Sequence, residues 1–236
     1  MTEDSKDQAT LTVIMPVYNE AATLRQALDR LLKTELPVSL QVVVVDDGST
    51  DGSLASISDL IDGRDVVVVE NPRNLGKGAA FRNGLGHATG KYVTILDADM
   101  EYDPADYVEV LRPLLDGEAD VVYGTRTFGS HTAYSFWYVL GNRFLSLWAS
   151  FLFNTWLSDI ETCFKVAPTD TWRAIGVRSD GFGLEAEVTG KFLRRHRIYE
   201  VPISYRARGR EEGKKLNWTD GVIALWILLR VRLFGK

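Results

Sequence analysis

The sequence predicts an α/β sandwich with a mostly parallel central sheet. Short runs rich in Val and Ile alternate with segments of helical spacing, and the runs are continuously apolar, as in strands that are covered on both faces. Acidic side chains follow two of these runs directly, at Asp46 and Asp47 and again at Asp97 and Asp99. Since ligands of parallel sheets bind beyond the carboxyl ends of the strands, a site is expected there.

The predicted elements follow one another along the chain. We expect strands at 11–15, 40–45, 66–69, 92–96 and 120–124. We expect helices between them at 20–33, 54–61, 78–88 and 104–115, the last with Pro104 in its first turn. After residue 125 the sequence becomes rich in aromatic residues. The segment 132–157 predicts two short helices separated by Gly141 and Asn142, and 218–234 predicts a further helix.

Composition indicates the size and class of the protein. The chain has 236 residues, 45% of them hydrophobic, which suits one domain over 11–236 after a disordered polar start at 1–10. The net charge of −5 argues against a nucleic-acid partner. The start is acidic and polar, and it lacks the basic beginning and the apolar run of a signal peptide. One cysteine, Cys163, allows no intramolecular disulfide, so we expect a reducing, cytoplasmic location.

The stretch VTILDADMEYDP, residues 93–104, places carboxylates at the end of a predicted strand. In an extended segment Asp97 and Asp99 point to the same side, and Glu101 continues that side if the extension persists. Such oxygen ligands suit Mg²⁺ or Mn²⁺, which is typically completed by substrate phosphates and waters. The alternative is a solvated loop whose acids cap the next helix.

Several motifs occur together and in order. They are VIMPVYNE (13–20), VVVVDDGSTDGS (42–53), NLGKGAAFRNG (74–84), LDADMEYDP (96–104) and GTR (124–126). In this combination the chain resembles the family-two inverting glycosyltransferases, which have the Rossmann-like GT-A fold. The later segments GNRF, DIETCFK, VPISYRAR and GKKL resemble the polyprenyl-phosphate sugar synthases of that family, which include the dolichyl-phosphate mannose and glucose synthases. This resemblance implies a nucleotide-sugar-binding half at 11–126 and an acceptor half at 127–236.

The resemblance also implies roles for single residues on the donor side. Pro16, Tyr18 and Glu20 line the nucleotide base and ribose, and Asp47 contacts the nucleoside beside Val45. Asp97 and Asp99 hold Mg²⁺ or Mn²⁺ against the donor diphosphate, with Glu101 as a further ligand. The donor site includes four more residues: Lys77, Ala98, Arg208 and Lys215.

The reaction that the resemblance implies moves a hexose from GDP-mannose or UDP-glucose to a polyprenyl (dolichyl-type) phosphate. A phosphate monoester is largely a dianion at pH 7, so it needs little help from a general base. Two anionic substrates must instead meet in a protein of net charge −5. We expect Arg126 and Arg143 to hold the acceptor phosphate, because the arginine fork suits phosphate oxygens. Asp159 has a supporting catalytic role, Glu185 is a similar candidate, and the tail at 206–215 would close as a lid.

Aromatic residues between 134 and 156 favour a membrane interface. We expect amphipathic helices at 132–157 and 218–234 that lie on the cytoplasmic face of a membrane, with Arg143 near the headgroups, in a peripheral enzyme. The alternative is a packed helix pair or a dimer interface.

Three other functions remain open at this point. A glycosyltransferase that acts on a saccharide or other hydroxyl needs a general base, and the Q-x-x-R-W motif of processive synthases is absent. A non-catalytic nucleotide-sugar-binding protein would be expected to lose the metal acids. A nucleotidyltransferase would want a Gly-rich loop at the first strand. The sequence does not determine the sugar, the nucleotide base, the lipid length or the oligomeric state.

Overall fold

The computed structural model describes residues 10–132, 135–181, 183–207 and 218–235. Its strands are β1 (Thr10–Val17), β2 (Ser39–Asp46), β3 (Val66–Glu70), β4 (Tyr92–Ile95), β5 (Val121–Thr125), β6 (Lys165–Pro168) and β7 (Ile198–Pro202). Its helices are α1 (Leu24–Lys33), α2 (Lys77–Gly86), α3 (Tyr107–Leu115), α4 (Phe136–Phe153), α5 (Thr169–Ile175), α6 (Leu184–Leu193) and α7 (Trp218–Phe234).

The described strands form one sheet in the order β3-β2-β1-β4-β6-β5-β7. Strands β3, β2, β1 and β4 are parallel to one another. Strand β6 runs antiparallel to both β4 and β5, and β7 pairs parallel with β5. The predicted α/β class with a mostly parallel sheet is therefore confirmed. Because β1, β2, β4 and β5 point the same way, their carboxyl ends share one edge of the sheet.

Two apolar clusters cover the two faces of the sheet. Val42 and Val44 pack in one cluster, and Val43 and Val45 pack in the other. Successive side chains of a strand point to opposite faces, so a strand between two covered faces must be apolar at every position. This explains the unbroken valine run, in which all four side chains are fully buried.

The predicted helix at 54–61 is shorter than expected. A 3-10 turn spans Leu54–Ile57, and residues 58–65 between it and β3 contain no α-helix. The hydroxyls of Ser56 and Ser58 donate to the carbonyls of Ser53 and Ala55, at 2.6 and 3.2 Å. Serine side chains that bond to nearby backbone in this way compete with helix formation.

The predicted break in the aromatic segment is wrong. Helix α4 runs through Gly141 and Asn142 without interruption and ends where Asn154 adopts the left-handed conformation, at φ 51. A glycine inside a helix costs about 1 kcal/mol relative to alanine. Burial of Leu145 and Ala149 in a third cluster, together with residues of α6 and α7, offsets that cost.

Helices α4, α6 and α7 form a layer beside the sheet. The Trp148 indole of α4 donates to the Leu225 carbonyl of α7 at 3.3 Å. None of the described helices is both long enough and apolar enough to cross a bilayer. Of the expected disordered start at 1–10, residues 1–9 lie outside the described part of the chain, and Thr10 is the first residue of β1.

Candidate active site

The loop after β1 lies at the sheet edge where the carboxyl ends of the parallel strands meet. The Asn19 amide donates to the Ser49 hydroxyl at 3.0 Å, and the Glu20 amide donates to the Ser53 hydroxyl at 2.9 Å. These bonds tie the MPVYNE motif to the DDGSTDGS motif after β2. Pro16 is partly exposed, and Tyr18 exposes 36% of its surface. The base-contacting role predicted for Pro16, Tyr18 and Glu20 is compatible with this exposure and stays a prediction.

Asp47 organises the loop before α2. Its carboxylate accepts hydrogen bonds from the Asn71 side chain at 2.7 Å and from the amides of Leu75 and Gly76 at 3.0 and 2.7 Å. Asp47 is 3% exposed and Val45 is fully buried. In this structure, the Asp47 and Val45 side chains therefore expose almost no surface that a nucleoside could contact. The role that the geometry supports for Asp47 is to hold the NLGKG loop.

Asp97 and Asp99 flank the buried Ala98 at the end of β4, and both carboxylates are partly exposed. The chain does not stay extended beyond them, because Met100 adopts a left-handed conformation with φ 65. The expectation that the alternation continues to Glu101 is thus wrong in its geometry. Asp99 instead closes the turn, since its Oδ1 accepts the Glu101 amide at 3.1 Å.

Glu101 lies deeper than its two neighbours. It is 8% exposed, and its Oε2 accepts the Tyr205 hydroxyl at 2.6 Å. The Arg206 amide donates to the Glu101 carbonyl at 2.8 Å. Glu101 thus holds Tyr205 and Arg206 close to the end of β4, and its role as a metal ligand stays a prediction. Sequence reasoning missed Tyr205, whose partner lies about a hundred residues earlier in the chain.

Lys77, the first residue of α2, joins two carboxylates. Its ammonium lies 2.9 Å from Asp97 Oδ2 and 2.8 Å from Glu185 Oε1. The Cys163 thiol donates to the same Asp97 oxygen at 2.6 Å. Burial opposes the charge of Lys77, yet the surrounding groups, Asp97 above all, hold the pKa of this lysine well above its usual value. Lys77 is therefore a cation that is already paired with Asp97 and Glu185 at the place where the donor is expected to bind.

Arg126 and Asp159 form a nearly buried bidentate ion pair. The Arg126 Nε and Nη2 atoms each donate to Asp159 at 2.7 Å, and the exposed fractions of the two side chains are 11% and 5%. The guanidinium also lies over the Tyr205 ring, 5.0 Å from its centroid. Burial alone would raise the pKa of Asp159, but Arg126 keeps that pKa below its usual value. Asp159 is therefore ionised and committed to Arg126.

A cavity of about 220 Å³ opens beside this pair. Its lining brings together Arg126 and Asp159 with Arg143 of α4, as the sequence predicts for the two arginines. His131, which the sequence does not single out, also lies in the lining. The remaining lining residues are Thr127, Val139, Asn142 and Ser158.

Glu161 is a further acid close to both Glu185 and Asp159, and sequence reasoning missed it. Its Oε1 is buried and has no hydrogen-bond partner within the described part of the chain. Burial, reinforced by the nearby Glu185, raises the pKa of the Glu161 carboxyl to about 7. Glu161 falls inside the DIETCFK motif, but spacing alone carries no signal of this burial.

Glu161→Gln is expected to stabilise the protein at pH 8 and to have little effect near pH 4. The unfolded carboxyl ionises near pH 4.5 and the folded one near 7, so folding stability falls as the pH rises between these values. The variant removes this loss, a gain of up to about 3 kcal/mol in the free energy of unfolding. Denaturant titrations at both pH values test this, with the exposed Glu35→Gln as control. An equal effect at both pH values would contradict it.

The predicted donor contacts of Arg208 and Lys215 lie outside the described residues, as does most of the predicted lid at 206–215.

This chain belongs to a glycosyltransferase family. The model of the family described as Glycosyl transferase family 2 matches residues 12–168. The match begins in β1 and ends in β6, so it includes the acids after β4 and the DIETCFK motif. The family membership expected from the sequence is confirmed.

Curated relatives carry related names. The chain is 32% identical over 136 residues to the glycosyltransferase GlyA of Streptococcus pneumoniae, covering 57% of this chain and 19% of that protein. It is 30% identical over 201 residues to the glycosyltransferase AglJ of Haloferax volcanii, and this match covers 83% of this chain and 63% of that protein. It is 29% identical over 129 residues to the dodecaprenyl-phosphate galacturonate synthase of Rhizobium johnstonii, and this match covers 53% of this chain and 38% of that protein. The chain thus spans less than two thirds of each relative.

Solved structures share the fold. The glucosyl-3-phosphoglycerate synthase of Mycobacterium tuberculosis, in complex with Mn²⁺, uridine diphosphate and glucosyl-3-phosphoglycerate, superimposes with a TM-score of 0.70. The sequences are 21% identical, and the superposition covers 95% of this chain and 80% of that one. This likeness confirms the GT-A fold.

Proposed function

We propose that the protein transfers a hexose or hexuronic acid residue from a nucleoside-diphosphate sugar to a polyprenyl phosphate, with inversion at the anomeric carbon. The observation that carries this proposal is the cavity that joins Arg126 and Arg143. Arg143 lies on α4, whose Phe136, Leu140 and Phe144 expose 68, 48 and 57% of their surface. A cationic cavity beside an exposed apolar helix face matches a lipid that ends in phosphate.

The donor site falls at the ends of β1 and β4. Tyr18 and Pro16 are the residues that we propose to contact the nucleoside. The carboxylates of Asp97 and Asp99 fit a divalent metal, because Mg²⁺ typically takes one or two protein carboxylates and completes its shell with phosphate and water. A bound Mg²⁺ or Mn²⁺ would supply positive charge to the leaving diphosphate.

The chain's own cations differ in what they can offer an anionic substrate. Lys77 and Arg126 are both paired with carboxylates, so they position acids as much as they attract phosphate. Arg143 is exposed, and no carboxylate pairs with it within the described ranges. Arg143 is therefore the side chain that we assign to the acceptor phosphate, with Arg126 at the base of the cavity.

The transfer step needs little acid–base help. An oxygen of the acceptor phosphate forms a bond to the anomeric carbon as the bond from that carbon to the donor diphosphate breaks. The phosphate dianion brings no proton that must be removed. Asp159 is bound to Arg126 through both its oxygens, which suits a positioning residue better than a base.

Arg143→Gln is expected to raise the KM for a short polyprenyl phosphate roughly 10- to 100-fold, since hydrogen bonds to charged groups contribute about 1.5–3 kcal/mol. Donor affinity should stay unchanged, because Arg143 lines the acceptor cavity. Steady-state kinetics with varied acceptor measure this, and Arg112→Gln on the exposed side of α3 is the control. An unchanged acceptor KM, or transfer to phosphoglycerate with a far lower KM, would contradict the lipid acceptor.

The exposed helix faces support a peripheral membrane location. Trp137 and Phe151 of α4 expose 73 and 77% of their surface, and Trp226 of α7 exposes 60%. Tryptophan at such positions favours the bilayer interface. We therefore propose that the protein works on a membrane surface, at its cytoplasmic face, as one domain whose two halves share the sheet.

A further inference from the structure

The carboxyl-terminal ends of α4, α6 and α7 meet at one end of the helix layer. Arg194, just after α6, donates to the Val231 carbonyl of α7 at 2.7 Å. Arg232 of α7 donates through Nε to the Leu152 carbonyl of α4 at 2.8 Å. Both arginines thus bind carbonyls of helix ends, where cations are favoured by the helix dipoles.

Positive charge is concentrated in three segments that include the carboxyl-terminal ends of these helices. The segments 136–157, 188–199 and 221–235 contain no Asp or Glu. They contain seven basic residues: Arg143, Lys191, Arg194, Arg195, Arg197, Arg230 and Arg232. Since the whole chain has a net charge of −5, the remainder of the chain carries −12 by difference. These three segments are therefore basic within an acidic chain, and the acids of α6 and α7, Glu185, Glu187 and Asp220, lie toward the amino-terminal ends of their helices, outside the counted segments.

Most of these cations face solvent. Lys191 is the exception, because it forms a buried ion pair with Glu187. Arg195 donates to the Ala174 carbonyl at 3.3 Å. The exposed members near the three helix ends are named the arginine end here, and they are Arg194, Arg195, Arg197, Arg230 and Arg232.

Exposed apolar stripes lead to the arginine end. On α4 the stripe recurs every three or four residues, through Phe136, Leu140, Phe144, Leu147 and Phe151. On α7 it runs through Val222, Trp226 and Leu233, and Arg230 lies within it. Each stripe is on the side of its helix opposite to the buried residues, which include Ala149 and Leu228. An arginine inside an apolar stripe can bury its stem and keep its charge in a headgroup layer.

We propose that the arginine end and the two stripes form one docking surface for anionic lipid headgroups. This inference rests on the proposed transfer to a membrane-bound acceptor and adds the chemistry of the surrounding lipid. The apolar stripes alone would bind neutral and anionic bilayers alike. The arginines add attraction to an anionic leaflet, and they keep the acidic remainder of the chain away from it.

Vesicle flotation tests the proposal on the full chain. The probes are vesicles of phosphatidylcholine alone and of phosphatidylcholine with one third phosphatidylglycerol, at low and high salt. The variant is Arg197→Gln with Arg230→Gln, because neither residue is placed in the active site. The control is Lys33→Gln with Arg64→Gln, which changes the net charge equally at exposed sites in the first half of the chain.

We expect tighter binding to the anionic vesicles, weakened by salt. The Arg197/Arg230 variant should bind them roughly 10- to 30-fold more weakly, while the control variant binds like the wild type. Activity with a short, water-dispersed polyprenyl phosphate should be unchanged in both variants.

Two results would overturn the inference. Equal binding to both kinds of vesicle would remove the role of the arginines without affecting the proposed acceptor. No vesicle binding, together with a dimer in light scattering, would mean that a second copy covers the stripes. Conversely, anionic binding without transfer to any lipid phosphate would refute the proposed function and leave this docking surface in place.

Discussion

Asp99→Asn is expected to lower transfer by about 1,000-fold while leaving the fold unchanged. A metal held at the ends of two carboxylates contributes several kcal/mol to stabilising charge on the leaving diphosphate, and about 4 kcal/mol corresponds to this factor. The asparagine retains an Oδ1 that can accept the Glu101 amide, so the turn at Met100 is preserved. Asp99 is a cleaner choice than Asp97, whose loss would leave Lys77 with one carboxylate fewer.

Initial rates at saturating metal and donor measure this effect, and a thermal melt confirms folding. The exposed Asp116→Asn at the end of α3 provides a control with the same chemical change. Near wild-type turnover in Asp99→Asn would refute the metal role assigned to this carboxylate. A matching loss in Asp116→Asn would mean that the effect is not specific to the site.

The second large effect concerns the ion pair between Arg126 and Asp159. Arg126→Leu is expected to lower the free energy of unfolding by about 3–5 kcal/mol, because it leaves a buried carboxylate without its partner. Arg126→Leu with Asp159→Leu should recover most of this loss, since a buried pair can often be replaced by apolar groups at little cost. Chemical denaturation of the two single variants and the double variant forms a double-mutant cycle.

Activity separates the structural role of this pair from its role in the site. The double variant should fold but transfer poorly, because the cavity loses the Arg126 guanidinium and only Arg143 remains to bind the acceptor phosphate. A double variant as unstable as Arg126→Leu alone would contradict the argument that an unpaired charge causes the loss. A fully active double variant would remove Arg126 from the acceptor site.

Much of the sheet could be predicted because the apolar pattern of each strand reflects whether its own two faces are buried. The unbroken valine run of β2 is typical of a strand covered on both faces, and the structure covers both. The acids after β2 and β4 could be placed at one edge because parallel strands share their carboxyl ends. Arg126 and Arg143 were likewise expected near one another, and they line one cavity.

Other features depend on partners that are distant in the chain. Asp47 looks like a site acid in the sequence, but its oxygens hold the amides of Leu75 and Gly76. The continuity of α4 through Gly141 comes from packing against α7, which local propensity cannot show. The turn at Met100, which directs Glu101 toward Tyr205, likewise has no signature in the alternation of acids.

The most direct test of the account is a transfer assay. The protein is mixed with Mg²⁺ or Mn²⁺, a short polyprenyl phosphate, and labelled UDP-glucose, GDP-mannose or UDP-galacturonate in separate reactions, with phosphoglycerate as a competing acceptor. The account predicts label in the organic phase from one donor, lost on addition of EDTA. Label only in a water-soluble product, with none in lipid, would contradict it.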